Sequence, residues 1–133
     1  MKTSIESVML FSKDAKKLAY FYRDTVDLKL TFEAVMGTNI DLYQFEMKNS
    51  SFYIIDNPKI KGKSEDSERF LVNFEVRDIE TETKRLRNKK VKMVGDIQHI
   101  EGYGFVSSFV DIDGNNFHLV QTKGGKIPKA FKK

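Results

Sequence analysis

The chain has 133 residues, 40% hydrophobic and 32% charged, which suits one compact domain with a sizeable core. It contains no cysteine, so a disulfide framework and thiolate chemistry are excluded. No apolar run nears the roughly 18 residues a membrane-spanning helix needs, and the formal net charge is only +4.

Met1 to Ser4 lead directly into Ile5 to Phe11, which reads as a strand, with no apolar leader before it. No membrane association is expected, and a reducing cytoplasm is the expected setting. Asp14 is placed to cap a helix through about Arg23, with Leu18 and Phe21-Tyr22 as its apolar stripe. Leu30 to Val35, Asp41 to Met47 and Phe52 to Asp56 read as three strands. Pro58 to Glu68, "PKIKGKSEDSE", is polar and turn-rich and reads as a linker.

The order then returns. Phe70 to Val76 reads as a strand, and Asp78 caps a helix through about Lys89 that buries Ile79, Leu86 and Thr83. Strands follow near Lys92 to Ile97, Gly104 to Val110 and Asn116 to Thr122. "SVMLFSKD" from Ser7 overlays "LVNFEVRD" from Leu71 without a gap, at an offset of 64 (71 − 7). "SFYIID" from Ser51 overlays "NFHLVQ" from Asn116 at 65 (116 − 51). This self-similarity predicts a duplicated βαβββ unit. "DIDG", Asp111 to Gly114, reads as a turn in which the aspartates bind backbone amides and Gly114 supplies positive φ.

The last eleven residues, "KGGKIPKAFKK", hold five lysines and no acid. Without those five, the +4 chain would carry −1, so the basic balance belongs to a tail, 123–133. Such a tail is expected to be solvated and disordered. The helix charges Lys16, Lys17, Arg23, Lys84, Arg85 and Arg87 read as solvated faces. No aromatic-basic recognition motif appears, and no nucleic-acid partner is expected.

Strand alternation assigns faces. Val8 and Leu10, Phe52 and Ile54, Val72, Phe74 and Val76, and Phe117 and Leu119 form purely apolar sides expected under the helices. The other sides mix Ser7, Met9, Phe11 and Tyr53 with Leu71, Asn73, Glu75, Asn116 and His118. They are too apolar for bulk solvent and too polar for a core, and a partly enclosed ligand cavity fits them.

In its pieces "FYRDTVDLKL" (Phe21 to Leu30), "FEVRDIE" (Phe74 to Glu80) and "GYGFVSSFVDIDGNNFHLVQ" (Gly102 to Gln121), the chain resembles the vicinal oxygen chelate superfamily. That superfamily includes glyoxalases, bleomycin-resistance proteins and extradiol dioxygenases. Asp27 stands where the family usually has glycine. The resemblance implies an α+β fold: two paired βαβββ modules, 5–56 and 70–122, in a cupped mixed sheet with helices on the outer face. It also implies a homodimer.

In metal-using relatives, ligands stand at positions that here carry Ser7, Tyr53, Leu71 and His118. Of these, His118 alone is a good ligand, and His99 sits near a loop where it does not replace the others. No cofactor is expected, although a divalent metal at a displaced site stays open. The favoured function is a small-molecule-binding protein that holds its ligand in a groove between modules. Ser7, Met9, Phe11, Tyr53, Leu71, Asn73 and His118 would line that groove. The alternative is a metal-dependent lyase, dioxygenase or antibiotic-modifying enzyme. A metal-free enzyme would use His118 with Glu75 or Tyr53 as acid and base.

Overall fold

The computed structural model describes residues 3–122 and 124–133; Met1, Lys2 and the first tail lysine, Lys123, lie outside the described residues. The chain forms two compact units that divide between Gly62 and Lys63. The first holds β1 (Ser7–Ser12), α1 (Ala15–Asp24), β2 (Leu30–Met36), β3 (Ile40–Glu46) and β4 (Ser51–Asp56). The second holds β5 (Val72–Glu75), α2 (Ile79–Asn88), β6 (Lys92–Ile100), β7 (Gly104–Val110) and β8 (Asn116–Gln121). Both are strand, helix, strand, strand, strand, the α+β architecture of repeated βαβββ modules that the offset predicts.

Each unit builds its own four-stranded sheet, in the orders β1-β4-β3-β2 and β5-β8-β7-β6. The first strand pairs in parallel with the last, and the other pairs are antiparallel. A parallel pair needs a crossover connection, and the helix forms part of it.

The helices start where their caps dictate. The Asp14 carboxylate accepts the N–H of Lys17 at 3.1 Å, and that of Asp78 accepts the N–H of Thr81 at 3.1 Å. The Thr81 hydroxyl adds a bond to Asp78 at 2.9 Å, and the Thr81 backbone and hydroxyl bonds together hold the Asp78 carboxyl below its ordinary pKa. Such caps are worth about 1 kcal/mol each. α1 buries Ala15, Leu18, Ala19 and Tyr22, and α2 buries Ile79, Thr83 and Leu86. Beneath them lie Phe45, Phe52 and Ile54 in one unit and Phe109, Phe117 and Leu119 in the other. The Thr83 hydroxyl would be a costly group to bury alone, but it shares a 2.8 Å hydrogen bond with Ser107. Among the described residues, no helix is long and apolar enough to cross a membrane.

The turn expected at Asp111 to Gly114 is present, with Asp111 as the aspartate shown to bind backbone amides. Asp111 accepts the N–H groups of Asp113 and Asn115 at 2.8 and 2.9 Å, and Gly114 has φ +82°. Asp27 has φ +74°, a left-handed backbone that glycine adopts freely and aspartate tolerates. The glycine expected there by resemblance and the aspartate present thus meet one backbone requirement.

The tail departs from expectation. Residues 124–133 fold back onto the second unit instead of remaining free in solvent. Pro128 is fully buried, Lys129–Phe131 forms a 3₁₀ turn, and the Phe131 ring stands edge-on to Phe105 at 5.3 Å. The Lys129 N–H donates to Glu80 at 2.7 Å, and Gln121 donates to the carbonyls of Gly124 and Lys126. Gly125 has φ +71°, and a Cβ there would lie 2.4 Å from the Arg77 carbonyl oxygen, so this crossing requires glycine. Apolar Ile127, Pro128 and Phe131 interrupt the lysines, and two of them do the packing.

Candidate functional site

In each unit one sheet face carries the helix; the other, called the open face because no helix covers it, exposes some side chains and buries others, among them Ile55, Val106 and Val120. The first unit's open face is fixed by register. Ser7, Met9 and Phe11 stand opposite Ser51, Tyr53 and Ile55. Tyr53 stands opposite Gln44 and Ile55 opposite Leu42. Phe32 and Ala34 then face Gln44 and Leu42 from β2. Four large apolar side chains on this face are left substantially in solvent: Met9 (51% exposed), Phe11 (44%), Phe32 (55%) and Met36 (43%). The Gln44 amide donates to the Ser51 hydroxyl at 3.2 Å, a polar spot among them.

The second unit's open face is polar. Asn73 stands opposite His118, and His118 opposite Ser108. Glu75 stands opposite Val120, and Val120 opposite Val106. Leu71 lies half-buried just before β5, and Asn73 is exposed. Glu75 accepts a hydrogen bond from the Thr122 hydroxyl, which occupies the carboxylate considered as a partner for His118. The Asn116 side-chain oxygen is enclosed with no hydrogen-bond partner among the described residues.

His118 is half-buried, and burial pushes its pKa below the ordinary 6.5, so the imidazole is neutral at physiological pH. A neutral imidazole donates from one nitrogen and accepts at the other. His99 does not join it. It lies on the helix side of β6 with its ring 4.9 Å from that of Phe105.

The structure thus brings Ser7, Met9, Phe11 and Tyr53 together on one open face, and Asn73, Glu75 and His118 on the other. Phe32, Met36, Gln44, Ser108 and Gly95 belong to these faces as well. Alternation in β2 and β6 would reveal Phe32, Met36 and Gly95, but bulges after Leu30 and after Met93 break that alternation. Most of the remaining aromatics point away: Tyr43, Phe45 and Phe109 are buried on the helix sides. There burial, then nearby Asp41, pushes the Tyr43 phenol up to about 12.

The donor chemistry at the four positions that the resemblance marks for ligands does not fit a divalent metal. Leu71 has no donor atom, Ser7 and neutral Tyr53 are poor ligands, and His118 is one nitrogen. Among the described residues there is no cluster of three or more His, Asp or Glu side chains that could hold a metal ion.

A repeated βαβββ module with a helix on one face and an open second face defines a class of small α+β proteins. The chain matches the model of the Glyoxalase/Bleomycin resistance protein/Dioxygenase superfamily over residues 4–119 and belongs to that superfamily. Solved structures agree on the fold. An antibiotic binding protein, TnmS3, from Streptomyces sp. CB03234 is 21% identical with a TM-score of 0.74, covering 92% of this chain and 98% of its own. A genomically encoded fosfomycin resistance protein, FosX, from Listeria monocytogenes is 16% identical with a TM-score of 0.72, covering 92% and 96%. A superfamily domain from Frankia sp. EAN1pec is 14% identical with a TM-score of 0.74, covering 92% and 100%. No curated protein matches the sequence.

Proposed function

We propose that this chain is a small-molecule-binding protein that holds an organic ligand against its open sheet faces without the metal used by many relatives. The observation that carries this reading is the exposure of Met9, Phe11, Phe32 and Met36 on one sheet face beside Tyr53. Exposed apolar side chains gathered on one sheet face mark a candidate site of binding, and aromatic side chains stack on flat ligands. The chemistry of Ser7, Tyr53 and Leu71 removes the ordinary chelate. Likeness to an antibiotic binding protein supports the same reading at the level of fold.

The protein is further proposed to act in the cytoplasm as a homodimer; its mass in solution by light scattering checks the second point. One neighbour keeps a metal-dependent alternative in view: a FosX variant is described as complexed with Mn(II). The metal-dependent lyase, dioxygenase or antibiotic-modifying enzyme of that alternative would need such an ion here.

The test combines metal analysis with a binding assay. Protein purified without a histidine tag is offered Zn, Ni, Mn, Fe and Mg, and separately titrated with phenylnaphthylamine, an uncharged apolar fluorophore. The expected result is less than about a tenth of a metal per chain and saturable fluorescence lost in Met9→Ser/Phe11→Ser. Near one metal per chain, lost in His118→Ala, would give the enzyme reading the lead.

A further inference from the structure

The duplication lets the two open faces be compared position by position. Register equates Met9 with Asn73, Phe11 with Glu75, Tyr53 with His118, and Gln44 with Ser108. Phe32, opposite Gln44, therefore corresponds to Gly95, opposite Ser108. The same scaffold carries bulky apolar groups in the first unit. In the second it carries an amide, a carboxylate, an imidazole, a hydroxyl and, at Gly95, no side chain.

One row crosses the whole second sheet: Asn73 on β5, His118 on β8, Ser108 on β7 and Gly95 on β6. Neighbouring strands lie about 4.8 Å apart, so three polar groups stand at that spacing along a line. The line ends over bare backbone. A Cβ at Gly95 would meet Ser108 Cβ and Oγ at 3.8 Å and nothing closer. Valines flank the row, with Val120 and Val106 on one side and Val110 on the other. No charge stands in the row itself.

We propose that this row is a binding subsite for an uncharged, flat aromatic molecule carrying hydroxyl or carbonyl groups along one edge, and that Gly95 is its specificity-determining position. The proposal rests on the small-molecule reading above and names the ligand class. An amide, a neutral imidazole and a hydroxyl each donate and accept, which matches phenolic and carbonyl edges. The row itself offers only neutral donors and acceptors, so a charged group lying directly over it would be desolvated without a counter-charge in the row; Glu75 and Lys92 stand in the neighbouring rows. The bare backbone at Gly95, where an added Cβ would meet nothing closer than 3.8 Å, leaves room for a ring over that end of the row, while Val106 and Val120 beside it are buried. The enclosed, unpaired Asn116 oxygen on the same face adds an acceptor that a side-chain rotation would deliver.

Two probes test this on the full chain: dihydroxynaphthalene, which has the proposed chemistry, and phenylnaphthylamine, which lacks the edge hydroxyls. Gly95→Phe copies the first unit's Phe32 into the second and should fill the subsite, weakening dihydroxynaphthalene binding about tenfold or more by direct obstruction. Asn73→Leu, at an exposed position, should weaken it about fivefold through a lost hydrogen bond. Phenylnaphthylamine, held by the first unit's apolar face, should change less than about twofold. Circular dichroism confirms the fold of each variant, and Asn73→Leu carries the test should Gly95→Phe fail to fold. The subsite is overturned if dihydroxynaphthalene fails to bind while phenylnaphthylamine binds, or if it binds equally to wild type and the folded variants. If neither probe binds, the small-molecule reading falls with it.

Discussion

Asp56 and Gln121 hold the same post in the two modules. Asp56 Oδ1 accepts the backbone N–H of Ala15 at 2.8 Å, and Gln121 Oε1 accepts that of Ile79 at 2.8 Å. Each ties the last residue of a module's final strand to the first residue of its helix. Their second tasks differ. The other Asp56 oxygen accepts the N–H of Asp41 at 3.0 Å, holding β3, whereas the Gln121 amide nitrogen holds the tail. Truncating either leaves helix-start N–H groups without an acceptor. Asp56→Ala and Gln121→Ala should each lower the unfolding free energy by about 1–3 kcal/mol, read from urea denaturation. A loss at one position and none at the other would show that the two links are not equivalent.

The tail should behave as part of the second unit. Deleting residues 124–133 uncovers Phe105 and frees Gln121 and Glu80, so a loss of about 1–3 kcal/mol is expected. Amide exchange in the first turn of α2 should quicken with it. Unchanged exchange there would mean that the tail rests on the surface without holding the helix.

The Thr83–Ser107 bond offers a cleaner measurement because both hydroxyls are buried. Thr83→Val alone strands the Ser107 hydroxyl and should cost about 1–3 kcal/mol. Thr83→Val with Ser107→Ala removes both polar groups and should recover most of that loss. A double variant as unstable as the sum of its parts would assign the cost to packing instead.

His118 makes stability depend on pH in a defined direction. Burial lowers its pKa from 6.5 in the folded chain. Between the two values the unfolded chain binds more protons, so stability rises with pH through that window and levels off above 6.5. On acidification from neutral to about pH 5, wild type should lose more stability than His118→Gln. Paired thermal melts that stay parallel over this range would remove His118 as the cause.

Much of this architecture was legible in the sequence because its signals are local. Asp14 and Asp78 announce the helices, and the 64-residue offset between Ser7 and Leu71 announces the duplication. Alternation placed Met9, Phe11 and Tyr53 on one open face and Asn73 and His118 on the other. What stayed hidden depends on distant or irregular geometry. Bulges at Thr31 and Val94 obscure which face Phe32 and Gly95 serve. The bonds from Asp56 and Gln121 span 41 and 42 residues. The tail read as a run of lysines because charge outweighs three apolar residues in composition, while Pro128 and Phe131 determine where it packs.

Parallel pairing of first strand with last sets an order of events on the ribosome. Because β1 takes its place beside β4, the first sheet cannot close until Asp56 has emerged. It can then be complete before any of β8 has emerged. The second sheet gains no such head start: β5 must wait for β8, and the segment that buttresses α2 follows β8 in the chain. The second module therefore becomes whole only after β8 and residues 124–133 have followed the first sheet out.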